Sequence, residues 1–355
     1  MNIQEILSQA VRQDCSDVLL IPGLPVSMKA KGVISREDEP RLSPADTRQL
    51  ATEVYALAAK RSMQKMDETG DDDFSFSLPG LARFRVNVFK QRGSVAMVIR
   101  VVPFVLPDRM SLGIPDNVMA FSKLARGLVL VTGPAGSGKS TTLACLIHEM
   151  NETRNGHIIT LEDPIEFLYH HNRSIVTQRE ISTDTTSYAA ALKSALRQAP
   201  DVILLGEVRD YESISAAVTA AETGHLILTT LHTTGAANTV DRIIDSFPSD
   251  QQQQIRIQLS MTLKGIISQQ LIPAADGGEV PAFEVMIANS AVRNLIRDRN
   301  THQLDSVIHA ARGEGMISMD TSLLNLAKAG TITHQIALEY AFHKEQMQRQ
   351  LGVKL

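Results

Sequence analysis

The segment Gly-Pro-Ala-Gly-Ser-Gly-Lys-Ser at residues 133–140 constrains the fold of this chain more than any other feature. It fills every fixed position of the pattern GxxxxGK[ST], with the apolar run Leu128–Thr132 before it and a helical pattern over Thr141–Met150 after it. A phosphate-binding P-loop requires this strand–loop–helix context. Its glycines let consecutive backbone N–H groups face one anion, and the following helix N-terminus adds positive charge. The segment therefore predicts a nucleotide site on an α/β fold.

The side chains of this loop have expected partners in ATP and Mg²⁺. Lys139 is expected to reach the β- and γ-phosphates, and the Ser140 hydroxyl is expected to bind Mg²⁺. The residues expected to bind the nucleotide are Gly133, Pro134, Ala135, Gly136, Ser137, Gly138, Lys139, Ser140 and Thr141.

Apolar runs and helical patterns alternate through the middle of the chain. Fully apolar strands separated by helices are typical of a parallel sheet that is covered on both faces. The strands predicted in this way are Leu128–Thr132, Ile158–Leu161, Val202–Leu205 and Leu226–Thr230.

The regions on either side of this core have different patterns. The first hundred residues predict a mixed α and β domain, with helices at Ile3–Val11 and about Ser43–Ala59 and with three strand-like runs. Three prolines and a glycine between Pro103 and Pro115 indicate a linker. After residue 290 the chain predicts helices, the last of them over Thr333–Leu351. We therefore predict an N-terminal domain (1–103), a linker (104–118), an ATPase core (119–290) and a helical C-terminal region (291–355).

Composition argues against several other classes of protein. The net charge is −4 and only 4% of residues are aromatic, so a nucleic-acid binder with a basic stripe and stacking residues is not expected. Cys15 and Cys145 have no metal-ligand spacing and form no disulfide framework. No apolar run is long enough to cross a bilayer, and the N-terminus lacks a signal-peptide core. We expect an intracellular protein.

Carboxylates follow two of the predicted strands. Glu207 comes just after the apolar run Val202–Leu205, and Glu162 and Asp163 follow the run that ends at Leu161. Because the carboxyl ends of parallel strands meet at one edge of a sheet, these acids could orient water or bind Mg²⁺ beside the P-loop. Gly206 stands where an Asp usually precedes the Glu, and the spacing alone leaves helix capping or surface exposure open for each acid.

Two histidines and three arginines are further candidates. His225 and His232 bracket one predicted strand, where a histidine could contact the γ-phosphate or serve only structure. Arg83 and Arg85 point the same way from one strand and Arg100 lies on the next, so they could contact phosphate from an adjacent subunit or form a solvated edge.

Taken together, these segments resemble the PilT/PilU group of type IV pilus retraction ATPases, within the secretion ATPase superfamily. The resemblance covers nearly the whole chain and includes several further motifs. They are Ala82-Arg-Phe-Arg-Val-Asn87, Thr160-Leu-Glu-Asp-Pro-Ile-Glu166, Leu196-Arg-Gln-Ala-Pro-Asp201, Gly206-Glu-Val-Arg-Asp210, and the stretch from Ala221 to His232.

The resemblance implies a PAS-like α+β N-terminal domain, a RecA-like core and a homohexamer that binds ATP and Mg²⁺. It implies Glu162 as the water-orienting residue, Glu207 as the acid acting on Mg²⁺ and water, and His232 as a γ-phosphate contact, while His225 is left undecided. Arg83, Arg85 and Arg100 match arginines of the family, without showing which of them touches phosphate. The implied function is a motor for pilus retraction and twitching motility. The motor would lie at the cytoplasmic face of the inner membrane and act on a platform protein, with a paralogous pilus ATPase as a possible further partner.

Several alternatives remain within and outside this family. The chain could be a pilus assembly or type II secretion ATPase, an accessory PilU-like subunit, or, less consistently with its charge, a nucleic-acid-dependent ATPase. The segment Ala291–Asp298 resembles a retraction-type signature, and a packed amphipathic helix explains it equally well.

Overall fold

The computed structural model describes residues 2–30, 32–36, 40–102 and 108–352. The chain divides into two compact units, one formed by residues 1–106 with 166–169 and the other by residues 107–165 with 170–355. The first part of the predicted linker, residues 104–107, lies outside the described residues. The predicted domain boundaries stay a proposal.

The N-terminal unit contains a mixed set of helices and strands around one antiparallel sheet. Its elements are α1 (Ile3–Arg12), β1 (Asp17–Leu20), β2 (Ser27–Ala30), β3 (Val33–Arg36), α2 (Pro44–Leu57), α3 (Gln64–Thr69), β4 (Asp71–Leu78), β5 (Ala82–Gln91) and β6 (Ser94–Val102). The strand order in the sheet is β3-β2-β1-β6-β5-β4.

Local sequence signals explain where the first two helices begin. Asn2 and Glu5 form a capping box at α1, and Ser43 and Asp46 form another at α2, with Pro44 in the first turn. The predicted helices are therefore present. The short strands β1, β2 and β3 had no clear pattern of their own.

The sheet of this unit has one apolar and one polar face. Along β5, Phe84, Val86 and Val88 are buried in the core, while Arg85 between them is exposed. Alternation of this kind is expected for a strand with one solvated face, and it places the arginines away from the core.

The second unit contains a seven-stranded sheet in the order β13-β12-β7-β11-β10-β8-β9. Its elements up to the last strand are α4 (Asp116–Met119), a 3₁₀ turn (Ala120–Lys123), β7 (Gly127–Thr132), α5 (Lys139–Thr153), β8 (His157–Glu162), β9 (Ile175–Glu180), α6 (Tyr188–Ala195), β10 (Val202–Leu205), α7 (Tyr211–Glu222), β11 (Leu226–Leu231), α8 (Ala236–Asp245), α9 (Gln252–Thr262), β12 (Leu263–Pro273) and β13 (Glu279–Ile287).

The strands from β12 to β9 in this order pair in parallel, and β13 pairs antiparallel to β12. All residues of β7 and β11 are buried, as expected for strands that are covered on both faces. The α/β fold and the four predicted apolar strands are confirmed.

The chain after β13 is helical. Its elements are α10 (Ser290–Arg297), a 3₁₀ turn (Thr301–Gln303), α11 (Leu304–Ala310), a second 3₁₀ turn (Arg312–Glu314), α12 (Met319–Lys328), α13 (His334–Tyr340) and α14 (Lys344–Leu351).

The single helix predicted over Thr333–Leu351 is wrong, because the structure divides it into α13 and α14. The Asp320 carboxylate accepts hydrogen bonds from the backbone N–H of Phe342 at 2.7 Å and of His343 at 3.0 Å. These bonds replace helical ones at the break.

Among the described residues, no helix is both long and apolar enough to cross a membrane.

Candidate nucleotide-binding site

The predicted P-loop lies between β7 and α5. Gly133, Gly136 and Gly138 all have positive φ, a region that residues with a Cβ rarely occupy. At Gly133 a Cβ would also come within 2.1 Å of the Gln269 carbonyl oxygen. The backbone can therefore follow this curve only because glycine stands at these positions.

Lys139 is the first residue of α5 and is only 8% exposed. Its Nζ donates hydrogen bonds to the carbonyl oxygens of Gly133 at 2.9 Å and of Pro134 at 2.8 Å. The ammonium group is thus held at the loop, where phosphate oxygens would be stronger acceptors than neutral carbonyls. Pro134, Ala135 and Gly136 are exposed at the tip, so Ala135 offers only its backbone to a ligand.

Gln269 on β12 supports this loop, and the sequence analysis did not identify it. Its Oε1 accepts a hydrogen bond from Thr142 Oγ1 at 2.7 Å, and the residue is 3% exposed. Gln269 and Thr142 are 127 residues apart, so no local spacing relates them. The only signal was a polar Ser-Gln-Gln within the apolar run from Ile266 to Ile272.

Glu162 lies at the carboxyl end of β8, on the same edge of the parallel sheet as the P-loop. It is 7% exposed. Its Oε1 accepts hydrogen bonds from Thr160 Oγ1 at 2.6 Å and from Gln178 Nε2 at 3.4 Å. The carboxylate is therefore oriented by two neighbours, as a water-positioning group needs to be.

Glu207 follows β10 and contacts His232, which follows β11. His232 Nε2 lies 3.3 Å from Glu207 Oε2, and Arg209 Nε lies 2.7 Å from Glu207 Oε1. The structure thus brings together the two residues that the sequence placed on separate strands. Arg209, which pairs with the acid, was not among the predicted site residues.

His225 lies at the opposite end of β11 from His232. Its Nδ1 contacts Thr223 Oγ1 at 3.1 Å and the Ala220 carbonyl oxygen at 3.2 Å. These contacts tie the histidine to the end of α7, so the structural interpretation of His225 is the one that its contacts support.

Tyr188 lies between the acids that follow β8 and β10. Burial raises the pKa of its hydroxyl, and the carboxylates of Glu207, Asp163 and Glu162 raise it further. A Cβ at residue 206 would lie 3.0 Å from the Tyr188 hydroxyl. Glycine at this position, where an Asp is usual, therefore leaves room for the tyrosine.

The three predicted arginines lie in the N-terminal unit. Arg85 on β5 is directly opposite Arg100 on β6, and Arg83 lies two residues before Arg85 on the same strand. Arg100 Nε donates to Asp17 Oδ1 at 3.1 Å, and Arg83 Nη1 donates to Ser77 Oγ at 3.3 Å. Arg85 makes no hydrogen bond or ion pair with any residue that the structure describes. Their roles toward a nucleotide stay predictions.

The sequence matches the family model described as type II/IV secretion system protein over residues 1–303. The chain belongs to this family.

Two proteins from Pseudomonas aeruginosa are similar to the chain over most of its length. The protein named "Type IV pilus retractation ATPase PilT" is 43% identical over 96% of this chain and 98% of its own length. The protein named "Type IV pilus ATPase PilU" is 40% identical over 96% of this chain and 89% of its own length.

A solved structure supports the fold and the binding of a nucleotide. The crystal structure titled as the pilus retraction motor PilT with bound ADP has a TM-score of 0.90 and 46% identity, and covers 98% of this chain and 99% of that chain. The predicted membership of the pilus retraction ATPase group, the fold and the identification as an ATPase are confirmed. The bound ADP of that structure supports the predicted binding of a nucleotide. The assignment of that site to residues 133–141, and Mg²⁺, remain proposals.

Proposed function

We propose that this chain is the ATPase motor that powers type IV pilus retraction and twitching motility. The observation that carries the proposal is the arrangement of Lys139, Glu162 and the Glu207–His232 pair after parallel strands of one sheet. The retraction ATPase of Pseudomonas aeruginosa, with its similarity over nearly the full length of both chains, supports the pilus as the object of the motor.

Each residue of the site has a proposed part in ATP hydrolysis. The P-loop amides and Lys139 bind the triphosphate, and Glu162 orients the attacking water. His232 contacts the γ-phosphate, and Glu207 acts on Mg²⁺ and water. The glycine cradle and the adjoining Ser140 hydroxyl suit a magnesium nucleotide. Ser140 and Glu207 would hold Mg²⁺, which neutralises negative charge on the phosphates when bound.

We also propose that arginines of the N-terminal domain complete the site in a ring of six subunits. Arg85 is the strongest candidate because Arg100 is already committed to Asp17 and Arg83 to Ser77. A guanidinium donated across a domain or subunit boundary would stabilise the charge that develops during phosphoryl transfer. Rotation of the N-terminal domain would then couple ATP turnover to mechanical work.

The partners of this motor are the inner-membrane platform protein of the pilus and, in some cells, a paralogous pilus ATPase. The proposed location is the cytoplasmic face of the inner membrane, with membrane association only through those partners.

Replacement of Glu207 tests the mechanism. Glu207→Ala is expected to retain binding of a non-hydrolysable ATP analogue while turnover falls at least about 100-fold. Glu212→Ala removes an exposed acid from the first turn of the following helix and is the matched control. Wild-type turnover in Glu207→Ala would contradict the mechanism.

Deletion of the gene tests the biological role. We expect the deletion strain to carry excess surface pili and to lose twitching. The wild-type gene should restore twitching, and the Lys139→Ala gene should not. Cells without pili would indicate an assembly motor instead.

An accessory role is the second candidate, because the PilU protein is 40% identical to the chain. It predicts that twitching depends on a paralogous ATPase even when this chain is intact, which a paralogue deletion would reveal.

A further inference from the structure

A cavity of about 480 Å³ lies in the second unit, at the amino-terminal ends of β7 and β12. Phe121, Leu124 and Ile287 contribute apolar walls, and the cations Arg126, Lys264 and Arg293 also line it. Its volume is within the range of ligand-binding pockets, about 300–1,000 Å³.

The cavity is separate from the nucleotide site. The P-loop follows the carboxyl end of β7 at Thr132, whereas the cavity lies where the strand begins, near Gly127. Five residue steps along a strand span about 16 Å. ATP at the P-loop therefore does not occupy this cavity.

The three cations of the cavity form no ion pair with an acidic residue in the part of the chain that the structure describes. Among the described lining residues none is acidic, and Arg293 Nε is buried without a hydrogen-bond partner. Burial lowers the pKa of the Lys264 ammonium, and repulsion from Arg293 and Arg126 lowers it further. A bound anion would remove this repulsion.

The backbone holds Lys264 close to the sheet. A Cβ at Gly127 would come within 2.5 Å of the Lys264 side chain. Glycine at this position therefore lets the Lys264 side chain lie against β7. Arg293 lies on α10, which is anchored by the buried side chains of Val292 and Ile296. The segment 291–298 is thus both a packed amphipathic helix and the source of one of these cations.

We propose that this cavity binds an acidic peptide segment of a partner protein, with a carboxylate side chain next to an apolar one. The carboxylate pairs with the arginines and Lys264, and the apolar side chain enters between Phe121, Leu124 and Ile287. A membrane surface is less suitable, because anionic lipids are recognised by clusters of about 4–8 basic residues. Single-stranded nucleic acid is disfavoured because Phe121 is 5% exposed and offers no stacking face.

Peptide binding to the full chain, measured without nucleotide, tests the proposal. The probe is a labelled, blocked pentapeptide of alternating glutamate and leucine, followed by fluorescence anisotropy. Two matched peptides replace every glutamate by glutamine or every leucine by serine. We expect each replacement to weaken binding by about tenfold or more, since each removes one of the two interactions.

Variants of the cavity locate the binding. Arg293→Gln and Lys264→Gln are each expected to weaken binding of the glutamate–leucine peptide by about tenfold. Lys328→Gln, an exposed lysine on α12, is the control and should leave it unchanged. Absence of binding to the wild type, or equal binding by the cavity variants, would overturn the proposal.

Two further measurements separate other sources of negative charge. Phosphatidylglycerol vesicles that bind through Arg293 and Lys264 while the peptide does not would assign the cavity to a membrane instead. Inorganic phosphate that displaces the peptide at equal concentration would reduce the cavity to a general anion site. ATPase activity of Arg293→Gln should stay within about twofold of wild type, so failure of peptide binding leaves the proposed function standing.

Discussion

Ser268 and Glu284 are directly opposite each other in the β12–β13 pair, and both side chains hold the beginning of α8. Ser268 Oγ accepts a hydrogen bond from the Gly235 N–H at 3.0 Å, and Glu284 Oε1 accepts one from the Ala236 N–H at 2.7 Å. Glu284 Oε2 also accepts from the Met319 N–H at 3.3 Å, at the start of α12. One buried carboxyl group therefore connects the helix that follows His232 to the C-terminal helices.

The stability of the protein should fall with rising pH because of Glu284. Burial raises the pKa of this carboxyl group to about 7, the carboxylates of Asp305 and Asp320 add to the rise, and the two backbone hydrogen bonds only partly oppose it. The folded pKa lies above the unfolded value. The contribution of Glu284 to the free energy of unfolding, about 3 kcal/mol, is therefore fully present below about pH 4.5. It is lost as the pH rises through about 7.

Urea unfolding of Glu284→Gln at pH 5 and pH 7.5 checks this prediction. The variant should be less stable than wild type at pH 5, because its amide cannot accept both hydrogen bonds. The difference should shrink by pH 7.5. Glu279→Gln, an exposed residue at the start of the same strand, is the control. A wild-type pH dependence that Glu284→Gln retains in full would refute the assignment.

Gly206 and Tyr188 should be energetically coupled. Gly206→Ala places a methyl group 3.0 Å from the tyrosine hydroxyl, so we expect a loss of about 1–3 kcal/mol of stability. Tyr188→Phe removes that hydroxyl, and the double variant should recover about 1 kcal/mol relative to additivity.

The measurement for this pair is a double-mutant cycle by urea unfolding, with ADP affinity as a second readout. Gly313→Ala is the matched control, because its φ is not positive and a Cβ there would meet no atom within 4 Å. Strict additivity of Gly206→Ala and Tyr188→Phe would show that the hydroxyl does not restrict residue 206.

Asp72 should stabilise the N-terminal unit far more than Asp67. Its buried carboxylate accepts from Tyr55 Oη, Arg61 Nε and Lys65 Nζ, each at 3.0 Å. Burial pushes its pKa up, but these hydrogen bonds outweigh burial and leave the pKa below its usual value. Asp72→Asn is therefore expected to cost about 3 kcal/mol, and Asp67→Asn, which breaks an exposed pair with Arg48, less than about 1 kcal/mol.

Hydrogen exchange of the β4 amides in the full chain reports the Asp72 effect. The folded pKa is depressed, so this stability is present above the unfolded value of about 3.8 and is lost as the pH falls below it. Faster exchange in Asp72→Asn than in Asp67→Asn at pH 7 is the expected outcome. Similar exchange in both variants would argue against it.

Replacement of Arg85 should lower kcat more than replacement of Arg100, because Arg85 is the proposed phosphate contact. Arg85→Ala is expected to lower kcat at least about 100-fold with little change in ADP affinity, since an arginine that acts on developing charge affects the transition state most. Arg100→Ala should have a smaller effect on kcat because Arg100 is held by Asp17. Steady-state ATPase assays compare the two, with the exposed Arg41→Ala as control. The opposite ranking would transfer the role to Arg100.

The parts of the site that could be predicted are those encoded in short segments. Adjacent residues were enough to predict the P-loop and the acids after β8 and β10. In the fold, they were also enough to predict the starts of α1 and α2. Gln269, Arg209 and the Glu207–His232 contact depend on which strands become neighbours, and the sequence of one segment does not contain that information. His225 and His232 illustrate the difference. Their spacing gave both the same possible roles, whereas the fold places them at opposite ends of β11 with different contacts.

Gln269 provides the last prediction, since it supports the P-loop without belonging to the motif. Gln269→Ala removes the acceptor of the Thr142 hydroxyl and leaves space next to the loop, so ADP affinity should fall by about 5–10-fold. Gln270→Ala, one residue along β12, is the matched control because consecutive side chains of a strand point to opposite faces. Isothermal titration with ADP measures both variants. Equal affinity in Gln269→Ala and wild type would show that the loop keeps its binding geometry without this contact.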